Sequence, residues 1–465
     1  MMPTPCPDTV DLAVRGGTVV NSDWSGRADV LIHNGKIVAV TEPAGTPETL
    51  ARRTIDASEL LLLPGGVDPH CHVGFTSGVF TTRDTYLEAS RAAVLGGTTT
   101  MIDFAIPVAG QSPWEAIEVR RPLADNALCD SALHACVIDW DDSIPDQLQR
   151  AVAAGIVTVK MFTTYRGEVM ANEDTILRVM KTLKALGGMA VVHAEANHIV
   201  EDTQQECLAR QQISAGHHHL TRPELSETAS VAEILAIAEA LGTSVYFVHL
   251  STPQSVELVA AARMRGVKAY AEAVTHHLTL DDREYAGDHP ERFVCCPPLR
   301  SRTTVESLRR TVHARMVDTI GSDHCCYDTE QKCSTPHDVR TMPNGLPGVE
   351  TRLPVIFDQF VGKEGLPVES FVAVTSANPA RVNGLYPRKG VIAVGSDADM
   401  ALWDSKIEKT ITSQDLHMTT DYTPYEGRAV VGWPTTIIVG GRVVAQAGAI
   451  VDDTPRGRHI HAQPV

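Results

Sequence analysis

His70 and His72 stand two positions apart in GGVDPHCHVGF (residues 65–75), directly after the apolar run LLLLP. Side chains alternate along a strand, so the two imidazoles share one face and Cys71 points to the other. Neutral imidazoles that converge are good metal donors. An HxH pair also occurs as two ordinary hydrogen-bonded histidines, so a metal reading needs further ligands elsewhere in the chain. Four more polar residues close runs of strand formers in the same way: Lys160 ends GIVTVK, His193 ends MAVVH, His249 ends SVYFVH and Asp323 ends TIGSD. Each follows a stretch that folding would bury, and a buried polar group without a partner is costly.

As a set these residues make chemical sense. Four imidazoles and a carboxylate suit Zn²⁺ or a similar first-row divalent ion. Lys160 fits once its amine is considered in an apolar, cation-rich place, where its pKa falls and it becomes nucleophilic. Reaction with CO2 turns that amine into a carbamate, an anion with two oxygens able to bridge two metals. Two ions ~3.5–4 Å apart can share a hydroxide that is nucleophilic at neutral pH. Asp323 is then placed to take a proton from it and deliver it to a leaving nitrogen.

The elements that must hold such a set are also legible. From about residue 63 to 387, apolar strands alternate with helical patterns: LLLPGGVDPHCH, TTTMIDFA, ALHACVIDW, IVTVKMF, MAVVHAE, SVYFVHL, VKAYAEAV and MVDTIGSDH are the strand candidates. The helix-like runs DTYLEASRAAVLG, NEDTILRVMKTLKALG and ETASVAEILAIAEALG each end in Gly, a common helix stop. Eight strands with helical crossovers predict an α/β fold, a (β/α)8 TIM-like barrel whose site lies at the C-terminal strand ends. A doubly wound open sheet is the alternative, but no GxGxxG phosphate loop is present. Residues 1–62 and 388–465 are both β-rich, with turns expected at Gly16-Gly17 and Asn34-Gly35 and strands expected in 390–404 and 435–451. They predict one small β-sandwich assembled from both termini around the barrel at 63–387.

Composition narrows the function classes. The chain has 465 residues, 43% of them hydrophobic and 21% charged, and a formal net charge of −17. That sign argues against a nucleic-acid backbone as partner. No apolar run approaches the ~18 residues of a membrane span, and the first residues lack a basic-then-apolar signal. Ten cysteines include the adjacent pairs Cys295-Cys296 and Cys325-Cys326 but no paired CxxC spacing, which suits reduced thiols in a cytoplasm.

The order HxH, Lys, His, His, Asp on barrel strands resembles the amidohydrolase superfamily. GGVDPHCH, RAAVLGGTTTMIDFA, VKMFTTY, VVHAE, VHLS, PPLR, GSDHC, NGLPGVETRLP and DYTPYEG resemble its cyclic-amidase branch, the dihydropyrimidinases and D-hydantoinases, over nearly the whole chain. The resemblance implies His70, His72, Lys160 as N6-carboxylysine and Asp323 around one divalent metal. It implies His193, His249 and the same Lys160 around the other. Tyr165, five after the lysine, matches the family tyrosine that donates to the developing oxyanion. Asn344 matches a position whose backbone carbonyl holds the substrate N–H, though Asn344-Gly345 also reads as a plain turn. Cys296 stands where the family usually has a substrate-contacting serine, which puts the fit around the ring in question. A small cyclic amide is the implied substrate, opened to an N-carbamoyl amino acid, and a homo-oligomer, often a tetramer, the implied assembly. Allantoinase and dihydroorotase are rival enzymes of the same scaffold, and a non-catalytic dihydropyrimidinase-related scaffold is the rival from another class. Of the remaining histidines, His217-His218-His219 reads as surface or supporting, His276-His277 as possible pocket lining, and His324 as a residue that orients a neighbour. Cys325 and Cys326 read as loop residues near the mouth.

Overall fold

A computed structural model describes residues 9–43 and 50–464. Eight parallel strands form the barrel: Gly66–His72, Thr98–Ala105, Asp130–Cys136, Thr158–Phe162, Met189–His193, Ser244–Phe247, Ala269–Val274 and Thr319–Gly321. Each pairs in parallel with the next. The ring is completed by a break in the eighth strand. After Gly321 the chain kinks at Asp323 (φ 49°) and resumes as His324–Cys325, which pairs in parallel with Cys71 and His72 of the first strand. Ser322 reinforces this seam, its N–H donating to Asp68 Oδ1 (3.0 Å) and its hydroxyl to the His70 carbonyl (3.1 Å). Cys325 and Cys326, expected in a loop, are therefore at this seam, Cys325 within the short strand and both buried.

The crossover helices start and stop where their sequences direct. Thr85 and Glu88 form a capping box ahead of Tyr86–Leu95, and the Asn172 side chain caps Glu173–Leu186 by accepting from the Thr175 N–H. Gly187 and Gly242 close Glu173–Leu186 and Glu224–Leu241 in the left-handed conformation. Among the described residues no helix is long and apolar enough to cross a membrane.

Both chain ends build a common β module, a nine-stranded sheet in the order Ala449–Ile450, Arg442–Gln446, Ala429–Val439, Met400–Thr410, Leu61–Pro64, Val10–Val20, Ser25–His33, Lys36–Thr41, with Ala51–Asp56 also paired to Val10–Val20. Asn34-Gly35 makes the expected tight turn with φ of 51° and 74°. Gly16-Gly17 does not turn. It lies inside Val10–Val20 as a bulge, where a Cβ on Gly17 would sit 1.7 Å from Leu62 Cδ1.

Two further expectations are corrected. The run LLLPGGVDPHCH is two strands: Leu61–Pro64 belongs to the terminal sheet, and the barrel starts anew at Gly66. The change of direction needs the bare backbone of Gly65, whose Cβ would meet Thr99 Oγ1 at 2.0 Å. Residues 390–399 are not a strand either, since Gly390 and Gly395 take φ of 78° and 94° and the ladder begins only at Met400. There the buried Lys389 ammonium gathers Asp130 (2.7 Å), Asp399 (2.5 Å) and Asp397 (3.1 Å), joining the terminal segment to the third barrel strand. Residues 458–463 run beneath the barrel. Ser131 N–H donates to the Arg458 carbonyl (2.9 Å), Ile460 N–H to Ser131 (2.8 Å), Ala462 N–H to Gly155 (2.9 Å) and Gln463 N–H to Gly384 (2.8 Å).

Candidate active site

All six strand-end residues lie at the C-terminal rim of the barrel, and the fold brings them together. His70 Nε2 is 3.2 Å from His72 Nε2 and 3.1 Å from Asp323 Oδ1, which is itself 3.5 Å from His72 Nε2. The His193 and His249 rings meet edge to face with centroids 4.5 Å apart, and His249 lies 5.3 Å from His70 by the same measure. Phe104, from the second strand, packs against His70 and His72 (4.8 Å each) and also under Lys160 Nζ (4.8 Å). His249 and Asp323 fall just past their strands at φ of 41° and 49°, and Tyr165 sits at 69°. Such left-handed residues cost about 1–3 kcal/mol each and gather at functional sites.

The partners of these groups fix which atoms remain free. Glu272, fully buried on the seventh strand, accepts the His70 Nδ1–H at 2.7 Å and leaves Nε2 facing the cluster. Glu195 faces His193 Nε2 at 2.7 Å and is paired in turn with Arg222 Nη1 at 2.7 Å, leaving His193 Nδ1 as the open donor. Lys160 Nζ is buried, lies over the rings of Phe104 (4.8 Å) and Phe162 (4.6 Å), and has no hydrogen-bond partner among the described residues. Burial pulls this amine down to about 8, against the attraction of Asp323 and Glu272.

Charge completes the picture. Burial disfavours a charged His70, yet Asp323 and Glu272 outweigh it and raise the imidazole to about 9, so the two carboxylates create a demand for positive charge at this point. Burial lowers His72 to about 4 and takes His193 and His249 below the usual imidazole value, which keeps their lone pairs available. Asp323 is held well below the carboxylate range by His70 and His72 despite its burial. The set therefore fits cations. The orphaned Lys160 amine, the unpartnered His249 Nδ1 and the carboxylate-oriented His70 and His193 are donors lacking only an acceptor at their centre.

The expected substrate-facing residues line the same mouth. Tyr165 lies edge-on to His193 (5.5 Å) with the Arg222 guanidinium 4.9 Å over its ring, and burial keeps its phenol protonated. Cys296 hydrogen-bonds with Tyr165 and donates its S–H to Asn344 Oδ1 at 3.2 Å. Lys332 holds the segments bearing Cys296 and Asn344, its buried ammonium donating to the Val294 (2.7 Å) and Pro343 (2.8 Å) carbonyls. His324 orients the same loop, with Nε2 on Asp84 (2.7 Å) and Nδ1 accepting the Gly348 N–H (3.1 Å). In the histidine tract, buried His218 puts Nε2 2.7 Å from the Cys295 carbonyl, a supporting role.

With this geometry in view, comparison with known proteins is decisive. The amidohydrolase family matches residues 61–444. The chain belongs to the amidohydrolase family. A D-hydantoinase of Ralstonia pickettii is 34% identical over 97% of this chain and 98% of its own length. The dihydropyrimidinase of Rattus norvegicus is 35% identical over 97% and 89%. The crystal structure of dihydropyrimidinase from Brevibacillus agri NCHU1002 superposes with a TM-score of 0.94 at 31% identity, covering 97% of this chain and 98% of that one. This amidohydrolase is thus an enzyme of the cyclic-amidase kind.

Several residues that organise the amidohydrolase site were absent from the sequence reading. Glu272 had a signal: it is the one charge within the apolar strand Ala269–Val274. Glu195 follows VVHA directly and offered the same kind of hint. Phe104 looks like any strand residue. Arg222 and Lys332 reach the site from distant segments, and nothing local marks them.

Proposed function

We propose that the enzyme opens a dihydropyrimidine or 5-substituted hydantoin ring by hydrolysis, giving an N-carbamoyl amino acid. One observation carries the reading: a fully buried amine, Lys160, without a hydrogen-bond partner among imidazoles and a carboxylate. The neutral amine attacks CO2, an N–C bond forms, one amine proton leaves to solvent, and the carbamate anion remains. That anion would join His70, His72 and Asp323 on one divalent cation and His193 and His249 on a second. When bound, two such ions, Zn²⁺ by the donor set, supply a Lewis acid for the ring carbonyl and a hydroxide nucleophile at neutral pH.

The chain's own groups do the rest. Tyr165 donates its phenolic hydrogen to the oxygen of the attacked carbonyl as charge develops there. Asp323 accepts the proton released by the attacking water and passes it to the departing ring nitrogen. The Asn344 backbone carbonyl and the Cys296 backbone hold the ring amide, and Lys332 fixes both segments. Phe104 and Phe162 exclude water from the amine.

The nine described cysteines are all unpaired, which supports a reducing, cytoplasmic setting. The family resemblance supports a homo-oligomer, a tetramer or dimer, which light scattering tests. Turnover of dihydrouracil, 5-substituted hydantoins, allantoin and dihydroorotate by the metal-replete enzyme tests the substrate class. Opening of the first two is expected, and a preference for allantoin would overturn it. Lys160→Ala is expected to lose most bound metal and nearly all turnover. Full activity in that variant would refute the carbamate.

A further inference from the structure

Beside the candidate centre, on donors it does not use, lies a second cluster. His276 and His277 open the short helix Thr275–Thr279 that follows the seventh strand, and Cys295 lies on the segment leading to Cys296. They are 3%, 1% and 1% exposed, and one donor atom from each lies within 4.8 Å of the others. We infer that His276, His277 and Cys295 form a further metal site, a clip of two nitrogens and one sulfur for a thiophilic d10 cation.

Three independent features support it. The His277 Nε2–H donates to the Pro297 carbonyl at 2.9 Å, which fixes the tautomer and leaves the buried Nδ1 lone pair free, with no hydrogen-bond partner among the described residues. A ligating histidine is oriented by this same kind of hydrogen bond. His276 Nε2 is likewise buried with no partner, and the two rings stand edge to face at 4.5 Å. Buried nitrogens of this kind are almost always satisfied, so two in one cluster call for a ligand. The third donor is sulfur. The Cys295 thiol makes only a weak contact to the Pro297 carbonyl (3.4 Å), and binding replaces the S–H bond by an S–metal bond as the proton leaves to solvent. Two neutral imidazoles and one thiolate suit Cu⁺ as a three-coordinate ion or Zn²⁺ with one open position. Burial keeps both imidazoles neutral, His276 down to about 4. Burial pushes the Cys295 thiol well up, and the Lys332 ammonium on the adjacent Val294 carbonyl works against that, so the thiol gives up its proton when the cation binds.

A cation here would tie the helix after the seventh strand to the segment that carries Cys296. The site shares no donor with the proposed dinuclear centre, whose donors contain no sulfur, and this separates the two experimentally. Full-length enzyme loaded with Zn²⁺, or with Cu⁺ under reducing conditions, is dialysed and its metal content compared with Cys295→Ser and His276→Gln. One of the two ions is expected to be retained in one equivalent more by the parent than by either variant. In Co²⁺-substituted enzyme a sulfur-to-metal charge-transfer band is expected, absent in Cys295→Ser and kept in Cys296→Ser. Lys160→Ala should lose the centre's metal and keep that band. If Lys160→Ala keeps all its metal, the carbamate reading falls while the Cys295 comparison still stands as a test. Equal metal in parent and variants with no sulfur band, or a band that follows Cys296, overturns the clip.

Discussion

The Glu272 carboxylate accepts the His70 Nδ1–H at 2.7 Å from a different barrel strand. The same oxygen accepts the His249 backbone N–H at 3.0 Å, and the second oxygen takes the Tyr246 hydroxyl. One buried carboxylate thus orients the His70 ring and anchors the backbone of His249, one residue from each half of the proposed centre. Glu272→Gln keeps the shape but removes the charge, and metal affinity is expected to fall about 10–100-fold. Chelator competition measures it, and unchanged affinity would show that His70 needs no such alignment.

Tyr165→Phe keeps the ring against His193 and removes one donor. kcat is expected to drop about 10²–10³-fold with metal content unchanged. A near-normal rate would take Tyr165 out of the oxyanion role.

Lys332 acts through backbone that other residues use. Lys332→Met leaves the Pro343 carbonyl buried without its donor, at about 1–3 kcal/mol, while the Val294 carbonyl keeps only the Gly345 N–H at 3.1 Å. Loss of thermal stability is expected together with a raised KM and a smaller change in kcat, read by a melt and by steady-state kinetics.

Acid stability should report on Asp397. Burial pushes its carboxyl up, but Lys389, Lys36 and Arg388 outweigh that and hold it below the usual range. A depressed folded pKa means stability that is present above about 4, the unfolded carboxylate value, and lost as pH falls through the lower folded value. Neighbouring Asp399 is pushed up by burial and works in the opposite direction. Asp397→Asn isolates the first effect: its unfolding free energy should vary less with pH on the acid side than the parent's, and parallel curves would rule the effect out.

Much of this was legible in one dimension because strand ends announce themselves. A run of β-formers that stops at His193 or His249 locates both the element and the rim on which the side chain lies. What stayed hidden was long-range. The Gly16-Gly17 pair reads locally as a turn, and only the arrival of Leu62 across it makes it a bulge. LLLPGGVDPHCH looks like one strand because apolarity does not say which sheet will bury it. Arg222 reaches Glu195 from 27 positions away, and Lys332 reaches Val294 from 38, spacings that leave no periodic trace. Glu272 is the exception, since a single charge inside the apolar strand Ala269–Val274 is visible in the sequence itself.

The run of residues 458–463 under the strands bears on how the molecule comes into being. Ser131 and Gly155 wait for hydrogen-bond partners more than 300 positions downstream. Translation must therefore pass residue 463 before the underside can be sealed. Every candidate donor of the rim, up to Asp323, is thus synthesised before the segment that closes its base.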